Sequence, residues 1–164
     1  MPKATTIVKE EKGEIAVIEI NSETDFVAKN KDFISFCKEL SDINFVCKAD
    51  LDKINNYQMK DKNLVKDNLV NLIAKIGEKI IIRKASFFDN KVGINFFYVH
   101  AAIEKNIGKI ISLVKIDGVN VGKNDSIGTK ISMHIAASNP LSIDESGLKK
   151  DVIDKELEII KAEI

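Results

Sequence analysis

His100 and His134 are the only imidazoles in the chain, and imidazole is the side chain whose ordinary pKa best suits proton transfer near neutrality. Neither stands at ligand spacing from a cysteine, a second histidine or paired carboxylates. His134 joined to Glu23 or Asp25 from a distant part of the chain would be the smallest acid–base unit. No nucleophile motif accompanies it. His134 also lies in Ile131-Ser132-Met133-His134-Ile135, where an imidazole reads first as a packed, hydrogen-bonded residue. The segment Gly118-Val119-Asn120-Val121-Gly122-Lys123-Asn124 has the look of a phosphate loop. Its glycines are one residue too close, and Asn124 replaces the hydroxyl that would hold magnesium. It reads as a turn before a helix. These residues point away from an enzyme, and they imply no cofactor and no metal.

The chemistry left is recognition, and it gathers at Asn21 to Lys31. An alternating strand, Ile15 to Ile20, runs into Ser22-Glu23-Thr24-Asp25-Phe26. Ser22 with Asp25 three residues on has the form of an acidic capping box, and Thr24 is an alternative N-cap. Either start puts Phe26 in the first helical turn. It is then a core aromatic behind a capping acid, or a knob offered to another molecule. Its register with Phe33 and Cys37 favours the core reading.

Composition sets broad limits. A chain of 164 residues fits one domain, or one domain and part of a second. Its 25 basic and 25 acidic side chains cancel, so bulk charge gives no reason to expect nucleic acid or an anionic membrane. Two cysteines, Cys37 and Cys47, make no disulfide framework, which fits a reducing cytoplasm. No apolar run is long enough to cross a bilayer.

The elements that must position the recognition segment follow from local patterning. Thr5 to Glu10 and Glu14 to Ile20 form a hairpin across Glu11-Lys12-Gly13. A helix over about Thr24 to Leu40 carries Phe26, Phe33, Cys37 and Leu40, with Ile34 adjacent. Ser41 to Asn63 reads as a loop or short helical excursion. Leu64 to Ile76 repeats at helical spacing and stops at Gly77. Ile80 to Phe88, Gly93 to His100 and Ile107 to Ile116 read as strands at hairpin spacing. Asp125 or Ser126 caps a helix carrying Ile127, Ile131, His134 and Ile135, stopped by Asn139-Pro140. Lys149 to Ile164 is amphipathic through Val152, Ile153, Leu157, Ile160 and Ile164. The expected class is α+β: a small antiparallel β-sheet, made of a three-stranded meander plus the N-terminal hairpin, packed against helices. Residues 1–120 form a first core subdomain, and 121–164 form the helical start of a second.

Four ordered segments resemble the elongation factor Ts family. They are Ser22-Glu23-Thr24-Asp25-Phe26-Val27-Ala28-Lys29-Asn30, Ala74 to Ile80 with Ile82-Arg83, Ile107-Gly108 before an apolar strand, and Met133-His134-Ile135-Ala136-Ala137-Ser138-Asn139-Pro140. Asn139 stands where a lysine or arginine is common. The resemblance spans about Thr5 to Lys161 and corresponds to the family's core, or dimerisation, region, without its leading helical domain and closing part. It implies guanine nucleotide exchange on elongation factor Tu in a bacterial cytoplasm or an organelle of bacterial origin, with Asp25 and Phe26 presented near the partner's magnesium site. It also implies partner contact by Thr24, Val27, Ile107, Gly108, Met133 and His134, and leaves open a homodimer. The alternative is an interaction or dimerisation module without exchange activity.

Overall fold

A computed structural model describes residues 1–118, 122 and 126–162. The expected α+β class holds. Strand β1 (Lys3–Glu11) folds back on β2 (Glu14–Ser22) through Lys12 and Gly13, both at positive φ, 53° and 84°. Two consecutive left-handed residues make a type I′ turn, whose twist suits a two-residue hairpin. Four of the nine β2 residues, Ile15, Ala16, Ile18 and Ile20, have no exposure at all. A strand this apolar belongs in the interior of a sheet.

The remaining strands, β3 (Ile81–Phe88), β4 (Ile94–Glu104) and β5 (Ile107–Ile116), complete one five-stranded antiparallel sheet in the order β3-β2-β1-β5-β4. The meander is therefore redrawn. β4 and β5 are the hairpin that their spacing suggests, whereas β3 pairs with β2 at the opposite edge. The β3–β4 connection is tied beneath the N-terminal turn. Asn90 Nδ2 donates to the Lys12 carbonyl (2.8 Å) and Asn95 Nδ2 to the Gly13 carbonyl (2.9 Å). A crossover held by such distant partners leaves no local signature.

Helix α1 (Lys31–Cys47) starts later and ends later than its periodicity suggests. Asn30, with extended backbone, is its N-cap: Oδ1 accepts from the amides of Asp32 (2.9 Å) and Phe33 (3.1 Å). Neither Ser22 nor Thr24 caps a helix, because both are engaged elsewhere, and only a 3₁₀ turn, Val27–Lys29, precedes Asn30. At its far end α1 continues to Cys47, into the start of the Ser41 to Asn63 stretch expected as a loop or short helical excursion, with Ile43 and Asn44 also buried. Short α2 (Leu51–Asn55), capped by Asp50, follows, then α3 (Val65–Ile76), which closes on Gly77 at φ 79° as its spacing predicts. Helices α1, α2 and α3 enclose one core with the hairpin, built on Ile18, Ile20, Phe33, Leu40, Ile54 and Val65. Each such side chain contributes roughly 1.5–3 kcal/mol on burial.

Helix α4 (Ser126–Ser138) packs on β4 and β5. Its buried residues are Gly128 and Ser132; of the expected Ile127, Ile131, His134 and Ile135, only Ile135 is half-buried and the other three are exposed. The reason is steric. Gly128 lies against the ring of Phe96, so a Cβ there would overlap it. Ser132 Oγ donates to the Gly128 carbonyl (2.9 Å), and Ser112 Oγ of β5 donates to the Ser132 carbonyl (2.5 Å). Small residues let helix backbone meet sheet closely, and the two hydroxyls satisfy the buried carbonyls. The N-cap candidate Asp125 lies outside the described residues. Helix α5 (Lys150–Ala162) has no buried residue; Val152 and Ile153 are half-buried, and Leu157 and Ile160 are exposed. Ile164, expected on the same stripe, lies outside the described residues, as do most positions of the phosphate-loop look-alike.

Candidate functional site: the Thr24-Asp25-Phe26 tip

Between β2 and the 3₁₀ turn the chain makes a short projection whose residues have separate fates. Ser22, buried, donates through Oγ to the Thr24 carbonyl (3.0 Å) and folds the strand end back on itself. Val27 is 2% exposed and fixes the far side of the projection in the core, while Phe26, its neighbour, is 78% exposed. The Phe26 carbonyl accepts the Lys29 amide (3.0 Å), and the Val27 carbonyl accepts the Asn30 amide (2.9 Å). Phe26 is thus an exposed aromatic on a hydrogen-bonded base. The core reading drawn from helical register fails because no helix runs through it.

The base is locked from across the sequence. Glu78, just beyond α3, accepts from the Thr24 amide at Oε2 (2.9 Å) and from the Thr24 hydroxyl at Oε1 (2.6 Å). In return Glu23 Oε2 accepts the Lys79 amide (3.1 Å). Asp25 sits between two cations, Lys109 of β5 at 3.3 Å and Lys3 of β1 at 3.7 Å. The Lys109 ammonium first, then Lys3, holds the Asp25 carboxyl below the usual carboxylate range.

Lys109 directly follows Ile107 and Gly108, so the structure brings that pair close to the tip. Their side-chain positions are internal: Ile107 is 1% exposed, and a Cβ on Gly108 would overlap the Val99 side chain (2.6 Å) and the His100 carbonyl (2.7 Å). The Gly108 carbonyl also accepts the Thr6 hydroxyl (3.0 Å). Met133 and His134 are exposed on α4, where His134 Nδ1 lies 3.4 Å from Ser138 Oγ. No contact joins them to the tip among the described residues. The carboxylates weighed as acid–base partners for His134 are occupied, Asp25 by lysines and Glu23 by the Lys79 amide. Sequence reasoning missed Glu78, Lys109 and Lys3. Glu78-Lys79 lay within a recognised segment, but nothing local tied it to Thr24.

The family model described as Elongation factor TS matches residues 23–164. This chain belongs to the elongation factor Ts family. It is 36% identical over 149 residues to elongation factor Ts of Methylobacterium nodulans, covering 89% of this chain and 48% of that protein. With its counterpart from Rickettsia massiliae it shares 32% identity over 145 residues, 87% of this chain and 47% of the relative. For Paramagnetospirillum magneticum the figures are 37% over 146 residues, 87% and 46%. The chain spans about half the length of the curated relatives it matches. The family match begins at Glu23, so it takes in the exposed Phe26, Glu78, Lys109 and α4.

Proposed function

We propose that this chain binds elongation factor Tu carrying GDP and promotes GDP release, with the Asp25-Phe26 tip entering near the partner's magnesium site. The observation that carries this reading is the exposure of Phe26 on a base fastened by Glu78, Lys109 and Val27. A large aromatic left in water on a rigid base is suited to burial in another protein. Thr24 and Val27 hold the tip from either side. Ile107 and Gly108 carry Lys109 to Asp25, and Met133 and His134 offer a second contact on α4.

An exchange factor acts by reciprocal coupling: what weakens nucleotide in the presence of factor weakens factor in the presence of nucleotide. Burying Phe26 contributes roughly 1.5–3 kcal/mol, on the order of tenfold to somewhat above a hundredfold in an equilibrium. Carrying a two-state partner from 1:99 to 99:1 takes about 5.5 kcal/mol. The tip therefore acts with further contacts, for which Met133 and His134 are the exposed candidates.

The test is release of fluorescent GDP from elongation factor Tu with and without this chain. Acceleration that is lost in Phe26→Ala supports the reading. Unaltered release alongside self-association would leave the chain an interaction module without exchange activity.

A further inference from the structure

Glu78 is the only side chain that grips the recognition tip by two hydrogen bonds from a separate element among the described contacts. It accepts both the amide and the hydroxyl of Thr24 across 54 positions of sequence, at 2.9 and 2.6 Å. It sits immediately after Gly77, whose left-handed backbone ends α3 and turns the chain towards β3. Glu23 closes the reciprocal bond to the Lys79 amide, so two chain segments exchange three bonds in all. Thr24 lies two residues before Phe26, and its carbonyl and hydroxyl are both spoken for, by Ser22 and Glu78.

We infer that Glu78 is a positioning residue for nucleotide release: through Thr24 it fixes the backbone from which Phe26 projects. The inference rests on the exchange reading above. The carboxylate acts through Thr24, to which both its oxygens are bonded. Its effect lies in presenting the aromatic already oriented, so that ordering entropy is not spent at encounter. A reactive contact displaced by about 1 Å can cost on the order of a hundredfold in rate, and the two Thr24 bonds restrain the backbone two residues before Phe26. Hydrogen bonding rather than charge carries the role. A glutamine at position 78 can accept the Thr24 amide through Oε1 and donate through its amide nitrogen to Thr24 Oγ1.

The decisive comparison uses this chain as wild type, Phe26→Ala, Glu78→Ala, Glu78→Gln and Thr24→Val. Fluorescent-GDP release is followed over a range of factor concentrations, and amide hydrogen exchange is followed at Thr24 to Phe26. Glu78→Ala should lower the saturating release rate by about tenfold to a hundredfold and expose the Thr24 amide, with a smaller change in the half-saturating concentration. Thr24→Val should lose part of that effect, and Glu78→Gln should restore most of the rate. If Glu78→Ala loses Thr24 protection yet keeps the wild-type saturating rate while Phe26→Ala does not, the positioning role is overturned and the exchange reading stands. An equal loss in Glu78→Gln and Glu78→Ala also overturns it, in favour of charge. If wild type fails to accelerate release, the exchange reading falls and this role with it.

Discussion

Phe26 and Val27 are consecutive residues with opposite environments, the first 78% exposed and the second 2%. The strand-to-helix connection turns between them, so an exposed ring and a core anchor stand one position apart. Phe26→Ala should leave the melting temperature almost unchanged, since a solvent-exposed ring contributes little to the core. It should lower GDP release by at least tenfold, matching the loss of one buried aromatic contact. Val27→Ala should do the reverse, costing about 1–3 kcal/mol of stability. Thermal denaturation beside a release assay separates the two; early melting of Phe26→Ala would make it a core residue.

What was legible in the sequence is what local chemistry decides. Lys12-Gly13 specifies its turn from two residues, and α3 is declared by a 3.6-residue repeat ending at Gly77. The start of α1 is hidden because Ser22 and Thr24, both cap types, precede the true cap Asn30, and Thr24 is taken up by Glu78, 54 positions away. The neighbour of β3 is hidden for a related reason. Its five-residue gap to β4 imitates a hairpin, while the pairing is decided by the burial of β2 and the Asn95 tie to Gly13. Apolar periodicity points to Ile127 and Ile131 on α4, which are exposed, because the buried contact is centred on a glycine and hydroxyls, with Ile135 only half-buried beside them. The tip's residues were visible as a segment. Its lock was not.

Gly128 supplies the space in which α4 rests on Phe96. Gly128→Ala raises helix propensity, which alone would stabilise by up to about 1 kcal/mol. Overlap with the Phe96 ring is the larger effect, since overpacking of a fitted contact costs about 1–3 kcal/mol. The net expectation is a lower melting temperature, with limited proteolysis cutting first within α4. Paired with Phe96→Leu, which makes room, the substitution should recover part of the loss. Simple additivity of the two changes would show that they do not share this contact.

His134 offers a test of the second contact. It is exposed on α4, with Ser138 Oγ 3.4 Å from its Nδ1. His134→Ala should raise the concentration of chain needed for half-maximal GDP release by several-fold, as for one contact of about 1 kcal/mol. The saturating rate should move less. Unchanged affinity would remove His134 from the interface.

The two thiols should differ sharply in reactivity. Cys37 is fully buried, and burial pushes its thiol far above the ordinary range; Cys47 is raised by partial burial and then by Asp50. A thiolate is the reactive form. Alkylation of the native chain should therefore label Cys47 first, with Cys37 following only as the core opens. Peptide mass spectrometry over a time course reads the order directly. Early labelling of Cys37 would mean that α1 detaches from the sheet without global unfolding.

Asp25 answers to salt before it answers to pH. Its folded pKa lies below the unfolded value of about 3.9, chiefly through Lys109 and then Lys3. A depressed carboxyl contributes attraction that is complete above the unfolded pKa and lost as pH falls through the folded one. Between about pH 5 and 8 the Asp25 charge, and with it the Lys3-Asp25-Lys109 cluster, should stay constant. Release should show no titration step from this group. The cluster is solvent-exposed, so raising salt towards 1 M, where the screening length is about 3 Å, should loosen it. Amide exchange at Asp25 and Phe26 should quicken with salt in wild type. In Asp25→Asn it should be fast already and less responsive to salt. A salt response of equal size in both would show that the Lys3-Asp25-Lys109 cluster does not hold the tip.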